Sequence, residues 1–190
     1  MNVLGIVGSP RKDGNTHVLV REVLAGAAGA GAASETVLLG ELDIAECDGC
    51  HACWQGKPCP KGDDMNALYP RIAAADAIVF GTCVYWYGPT ALMKAFLDRF
   101  VYFNGPEHRP DVAGKPAGLV VPFEETDPTM ADLTVTMFDR SLRYLEMPLV
   151  GRVIVPGVTK RGEVAGRDEP LRQARRLGEA LVRAGSAPGA

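Results

Sequence analysis

Five short apolar runs alternate with segments of helical periodicity along the 190 residues of this chain. Most of the runs are continuous rather than alternating in polarity, which is typical of parallel strands covered on both faces. Connections between such strands are right-handed and place helices on both faces of the sheet. The pattern therefore predicts an α/β fold with a doubly wound, five-stranded parallel sheet. The predicted strands are residues 3–7, 36–39, 77–82, 117–121 and 152–155.

The chain is expected to form one domain, residues 1–184, because no linker or internal repeat divides it. We expect a cysteine-rich loop insertion at about residues 44–63 and a disordered tail at 185–190. Small residues at 25–33 predict the loop that leaves the first helix. The predicted helices occupy about residues 16–28, 64–75, 89–102 and 129–145, and a last one carries Leu171, Ala174, Leu177 and Leu181.

A loop rich in hydroxyl, amide, glycine and basic residues connects the first predicted strand to the first predicted helix. Backbone N–H groups and the macrodipole favour an anion at a helix N-terminus, and an arginine can neutralise a phosphate. The alternative is an ordinary loop with a helix cap at Gly14 or Asn15. A phosphate loop after the first strand favours the flavodoxin-like strand order 2-1-3-4-5. The candidate phosphate ligands are Ser9, Arg11, Asn15 and Thr16.

Two common phosphate motifs are absent from this loop. The pattern G-x-G-x-x-G, which opens dinucleotide-binding folds, does not follow the first strand. The pattern G-x-x-x-x-G-K-[ST] of nucleoside-triphosphate loops is absent as well. What remains is a longer loop whose hydroxyl and amide groups can donate to a phosphate monoester.

Three consecutive aromatic residues, Tyr85, Trp86 and Tyr87, follow the third predicted strand. In a doubly wound sheet the first and third strands flank the crevice where ligands bind. One loop can therefore hold a phosphate while its neighbour encloses a planar ring, and FMN meets both demands. The alternative is an aromatic patch at a subunit interface, where Tyr and Trp are also enriched.

On these motifs, together with the segment from Leu92 to Arg99, the chain resembles the NADPH-dependent FMN reductase family of flavodoxin-like proteins. The resemblance implies that the phosphate ligands named above bind FMN and that NAD(P)H is the co-substrate. It also implies a homodimer or homotetramer. The family often has proline where this chain has Val84, a departure that loosens the expected loop shape. The residues that would line or close over the flavin ring are Val84, Tyr85, Trp86, Tyr87, Gly88, Phe123 and Glu124.

Four cysteines, Cys47, Cys50, Cys53 and Cys59, share the predicted loop insertion. Their compact spacing is similar to that with which ferredoxins ligate a [4Fe–4S] cluster, and it resembles the iron–sulfur flavoproteins, a branch of the same fold. Structural zinc more often uses two well-separated cysteine pairs. Free or redox-active thiols are the remaining alternative. The fifth cysteine, Cys83, is expected to be a small core residue.

Composition excludes several classes of function. The net charge of −3 gives no basic surplus for nucleic acid. No apolar run is long enough to span a membrane, and the first predicted strand leaves no room for a signal peptide. We therefore expect a cytoplasmic protein in which the cysteines form no disulfide framework.

The resulting prediction is an FMN-dependent NAD(P)H oxidoreductase that reduces a flavin, a quinone or another small electron acceptor. No side chain is assigned a catalytic role, because the flavin carries the hydride and electron chemistry. The alternative function is an iron–sulfur flavoprotein that carries electrons to a partner protein.

Overall fold

A five-stranded sheet lies at the centre of the computed structural model, which describes residues 1–186. Its strand order is β2-β1-β3-β4-β5 and every neighbouring pair is parallel. The predicted fold class and the order 2-1-3-4-5 are therefore confirmed. The strands are β1 (Asn2–Val7), β2 (Ala33–Leu38), β3 (Ala77–Gly81), β4 (Ala117–Pro122) and β5 (Leu149–Val155).

Helices cover both faces of the sheet, as predicted. On one face Val23 and Leu177 belong to a buried cluster with the strand residues Val3 and Val79. On the other face Phe96 and Phe138 pack with Phe80. The helices are α1 (Asn15–Gly29), α2 (Met65–Ala74), α3 (Ala91–Asp98), α4 (Val101–Asn104), α5 (Asp132–Tyr144) and α6 (Asp168–Gly185).

The predicted loop at residues 25–33 is wrong. Helix α1 continues to Gly29, and β2 already begins at Ala33. The small residues serve close packing between α1 and α6, because a Cβ added at Gly26 would collide with the backbone of Arg175, and one added at Gly178 with the backbone of Val23. Composition alone did not separate a turn from a tight helix contact.

The predicted helix at 89–102 is divided into α3 and α4. Helix α3 begins after Thr90, whose side chain accepts a hydrogen bond from the N–H of Met93 at 3.1 Å. The helix ends at Asp98. In the turn that follows, the side chains of Arg99 and Phe100 are both buried. The division places Arg99 where it can hold another loop.

The end of the chain differs in part from the predicted tail. Gly185 is the last residue of α6, and Ser186 follows it as a turn. The rest of the predicted tail, residues 187–190, lies outside the described residues. Among the described helices, none combines the length and the apolar character that a bilayer crossing needs.

Candidate functional site

A cavity of about 310 Å³ opens where the strands β1, β3, β4 and β5 end. Ser9 follows β1, Val84 follows β3, Phe123 follows β4 and Val158 follows β5, and all four line the cavity. The carboxyl ends of parallel strands meet at one edge of a sheet, and the crevice between β1 and β3 lies at the switch point of the fold. The cavity is of the size at which small-molecule sites begin.

The loop after β1 presents free donors to this cavity. The Ser9 hydroxyl accepts a hydrogen bond from the N–H of Arg11 at 3.2 Å, and the N–H of Gly14 donates to the carbonyl of Arg11 at 3.0 Å. Gly14 precedes α1 and offers no side-chain cap. Within residues 1–186, the N–H groups of Asn15 and Thr16 donate to no protein acceptor. This end of the cavity suits an anion.

Asn15 is engaged elsewhere through its side chain. Its Nδ2 donates to the carbonyl of Lys160 at 3.0 Å, and its Oδ1 accepts from the N–H of Val164 at 3.0 Å. The amide therefore fastens α1 to the segment 156–167, which we call the β5–α6 loop. Asn15 still lines the cavity, and its backbone N–H is the donor that it presents there.

The loops after β1 and β3 are joined beneath the cavity. The N–H of Gly8 donates to the carbonyl of Gly81 at 2.8 Å, and the Thr90 hydroxyl donates to the carbonyl of Gly8. The Thr82 hydroxyl accepts from the N–H of Thr90 at 3.1 Å. Both threonines are buried, so these contacts fix the two loops relative to each other.

The aromatic residues after β3 form a tight turn that projects from the surface. Tyr85 and Gly88 exchange backbone hydrogen bonds of 2.8 and 3.0 Å. The central residues Trp86 and Tyr87 have φ values of 50° and 64°, a left-handed conformation that bulky residues adopt only at a cost. The Thr134 hydroxyl of α5 donates to the carbonyl of Tyr87 at 3.0 Å and holds the turn. Trp86 is 97% exposed, so one wall of the cavity ends in an aromatic ring with almost no protein cover.

Most of the predicted site residues come together in this cavity. Tyr87 and Gly88 are outside its lining and serve to shape the turn. The predicted residues that line it are Ser9, Arg11, Asn15, Thr16, Val84, Tyr85, Trp86, Phe123 and Glu124.

Several lining residues were missed by the sequence analysis. Thr159 and Arg161 belong to the β5–α6 loop, and their position after the last strand of a parallel sheet was the signal available. Cys83 was expected in the core but lines the cavity, where burial raises the pKa of its thiol. Gly14, Pro122, Glu125 and Val158 complete the lining.

The four cysteines of the loop insertion line a second, small cavity of about 20 Å³ together with Tyr69 and Arg99. The N–H of Gly49 donates to Cys47 Sγ at 3.4 Å, and Arg99 Nη2 donates to Cys59 Sγ at 3.1 Å. In the part of the chain that the structure describes, no three His, Cys, Asp or Glu side chains are placed to hold a metal ion. The donor set, thiols that receive N–H···S hydrogen bonds, is nevertheless the chemistry that iron–sulfur clusters use.

A buried ion pair connects the cysteine loop, residues 44–63, to Arg99, the residue that follows α3. The guanidinium of Arg99 contacts both carboxylate oxygens of Asp63, at 2.5 and 3.1 Å, and donates to the carbonyl of Ala45 at 2.9 Å. Burial of the Asp63 carboxyl opposes its ionisation, but hydrogen bonds from Arg99 and from the N–H of Ala45 outweigh burial and hold the pKa of Asp63 below its usual value. Burial also raises the pKa of the neighbouring Tyr69 to about 12.

The chain is similar in sequence to several known proteins. The sequence profile of the family described as NADPH-dependent FMN reductase matches residues 1–153. An iron-sulfur flavoprotein of Archaeoglobus fulgidus is 32% identical over 97% of this chain and 80% of its own length. An iron-sulfur flavoprotein of Methanocaldococcus jannaschii is 39% identical, but that match covers only 52% of this chain and 51% of the relative.

A solved structure supports the fold. An NAD(P)H:quinone oxidoreductase from Methanothermobacter marburgensis superposes with a TM-score of 0.73 at 20% identity. The match covers 95% of this chain and 98% of that one.

Proposed function

Since the chain belongs to the NADPH-dependent FMN reductase family, we propose that the cavity at the carboxyl ends of β1, β3, β4 and β5 is its FMN site. Family membership makes the protein an FMN-dependent oxidoreductase that uses NAD(P)H and acts on a small-molecule electron acceptor. The observation that carries the site assignment is the pairing, in one cavity, of free N–H donors with an uncovered aromatic turn.

The phosphate end of the site is assigned to the loop after β1. The free N–H groups of Asn15 and Thr16 and the hydroxyls of Ser9 and Thr16 would donate to phosphate oxygens, and Arg11 would balance their charge. The Ser9 and Thr16 side chains are buried, so little order remains to be imposed on them when the phosphate binds.

The ring end of the site is assigned to the loops after β3 and β4. Val84, Tyr85 and Trp86 would lie along the flavin ring, and Tyr87 and Gly88 hold the turn that presents them. Phe123 and Glu124 would close the opposite side. FMN bound here would supply hydride and electron transfer between NAD(P)H and a second acceptor. The protein residues would orient the ring and exclude water, and no side chain is assigned a catalytic role.

We propose a quinone or a free flavin as the class of acceptor. Both are planar and can stack in the opening beside Trp86, whose ring is 97% exposed. The alternative, an iron–sulfur flavoprotein that carries electrons to a partner protein, draws on the names of two relatives, whereas the opening beside Trp86 favours a small acceptor.

Flavin binding is the direct test. The full-length chain should bind FMN in a 1:1 ratio, and the complex should oxidise NAD(P)H when quinone or free FMN is supplied. Trp86→Ala should weaken FMN binding roughly 5-fold, since an aromatic contact contributes about 1 kcal/mol beyond area burial. Leu133→Ala, a change at an exposed position of α5 that lines neither this cavity nor the groove beside α5, is the control. A colourless protein that binds no added FMN would disprove the assignment.

We propose that Cys47, Cys50, Cys53 and Cys59 ligate a [4Fe–4S] cluster. The support is that all four cysteines line one small cavity, together with the N–H···S hydrogen bonds and the names of the two relatives. The thiols would have to move closer together to ligate the cluster, because in the described residues they are not placed to hold a metal ion. Anaerobically purified protein should contain about four irons per chain. Cys53→Ser should lower the iron content, whereas Cys83→Ser should leave it unchanged. Protein without iron would leave the loop with free thiols.

We also propose that residues 1–184 act as one domain with the cysteine loop inserted at about 44–63, and that the protein is a cytoplasmic homodimer or homotetramer. The unpaired state of all five cysteines suits a reducing compartment.

An apolar groove of about 470 Å³ between α3, α4 and α5, lined by Leu97, Val101, Met137 and Tyr144, is the candidate subunit contact. Light scattering of the wild type and of Leu97→Glu tests it, because the charge should dissociate the oligomer.

A further inference from the structure

At the phosphate end of the main cavity, each of two loops places an arginine side chain against a backbone carbonyl of the other. Arg11, from the loop after β1, places Nη1 3.4 Å from the carbonyl of Thr159 in the β5–α6 loop. Arg161, from the β5–α6 loop, donates from Nε to the carbonyl of Lys12 at 2.7 Å. Together with the two hydrogen bonds of the Asn15 amide, these contacts bring both arginines to the same end of the cavity, which both of them line.

Both guanidinium groups keep an unbalanced charge. Within the described residues neither Arg11 nor Arg161 comes within ion-pair distance of a carboxylate, whereas the neighbouring Lys12 is paired with Glu41 at 2.7 Å. Glu163, the acid of the β5–α6 loop, is already bound to Arg167 and to the N–H groups of Thr159 and Lys160. Two cations therefore face one cavity without a carboxylate at ion-pair distance, although Glu124 and Glu125 line other parts of the same cavity.

Arg167 shows what a purely structural arginine looks like in the same loop. Its Nη1 and Nη2 atoms donate to the carbonyls of Pro156 and Gly157, and Nη2 also contacts Glu163 at 3.0 Å. Arg161 is anchored only through Nε, and its two terminal nitrogens make no hydrogen bond within the described residues. An arginine anchored in this way presents two parallel N–H groups, the arrangement that matches phosphate oxygens.

We propose that Arg161 is a second cationic ligand of the flavin phosphate, in addition to Arg11. The phosphate is thereby bound by two loops, the one after β1 and the β5–α6 loop. The site then selects phosphorylated over unphosphorylated flavin. This inference rests on the proposed FMN site and adds to it a residue that the loop after β1 does not supply.

The test compares FMN with riboflavin, which has the same ring and no phosphate. Binding to the full-length chain freed of flavin is measured by quenching of flavin fluorescence. Arg161→Met should raise the Kd for FMN roughly 10- to 100-fold, as expected for hydrogen bonds to a charged group, and leave the Kd for riboflavin unchanged. The FMN Kd of Arg161→Lys should lie between those of the wild type and Arg161→Met, because lysine keeps the charge but lacks the two parallel N–H groups. Arg172→Met, on the exposed surface of α6, is the matched control.

Salt dependence separates a direct contact from loop support. Loss of a direct ionic contact should flatten the rise of the FMN Kd with ionic strength, whereas a loosened loop alone would leave that slope as it is. An unchanged FMN Kd in Arg161→Met, equal losses for FMN and riboflavin, or an unaltered salt slope would each overturn the inference. A wild-type chain that binds neither flavin would instead overturn the proposed function.

Discussion

Arg99 shows how one residue can connect two parts of this molecule. Its side chain is 1% exposed, and it contacts Asp63, Ala45 and Cys59 at once. A buried charge is tolerated only when it is paired and hydrogen-bonded. The pair therefore contributes to the position of the cysteine loop more than to net stability.

Breaking the buried pair should be strongly destabilising. Asp63→Asn leaves the Arg99 charge buried and should lower the free energy of unfolding by about 3–5 kcal/mol, measured by urea denaturation. Asp98→Asn, which breaks the exposed Lys94–Asp98 pair, should change it by at most about 0.5 kcal/mol. Similar losses in the two variants would contradict this account of the pair.

The same pair should make stability depend on pH in the acid range. The pKa of Asp63 is lower in the folded protein than its ordinary value of 3.8, so its contribution is present above pH 3.8 and disappears as the pH falls through the folded value. The difference in unfolding free energy between wild type and Asp63→Asn should therefore shrink from pH 7 to pH 3. A constant difference over that range would argue against a lowered pKa of Asp63 in the folded protein.

Backbone strain in the aromatic turn should be separable from its role in binding. Trp86→Gly removes the cost of a left-handed tryptophan and should raise the unfolding free energy of the flavin-free chain by about 1 kcal/mol, while it weakens FMN binding. Trp86→Ala keeps the Cβ and should weaken binding without the gain in stability. Calorimetry and flavin titration on both variants check the two effects separately.

At the scale of elements, helix α1 has two tasks. Its N-terminus faces the main cavity, and its C-terminal half packs closely on α6 through Gly26 and Gly178. The prediction of a loop at 25–33 failed because alanine and glycine serve both turns and close helix contacts. The division of the helix predicted at 89–102 had no local signal either, since the partner of Arg99 is 36 residues away.

The tight contact between α1 and α6 can be tested with alanine. Gly178→Ala forces the helices apart and should cost about 1–3 kcal/mol of unfolding free energy. Gly29→Ala, where an added Cβ meets nothing within 4 Å, should be neutral or stabilising because alanine favours a helix. Thermal denaturation of both variants distinguishes packing from helix propensity, and equal effects would speak against the close contact.

At the scale of the whole molecule, the main cavity gathers loops that follow four different strands. A ligand that binds this edge of the sheet stabilises the folded chain by mass action. FMN at 100 times its Kd should raise the unfolding free energy by about 2.7 kcal/mol. Riboflavin at the same concentration should raise it less, because it lacks the phosphate. Equal effects of the two flavins would show that the phosphate end does not contribute.

Local patterns in the sequence are enough to predict the class of fold, the strand order and most of the cavity lining. Apolar runs and helical periodicity are local patterns, and the geometry of parallel sheets carries the ends of the strands to one edge. Tertiary structure alone decided the rest. It bound the Asn15 amide to the β5–α6 loop, brought Arg161 to the phosphate loop, and buried Arg99 against Asp63. These contacts join residues far apart in the chain, so no local pattern encodes them.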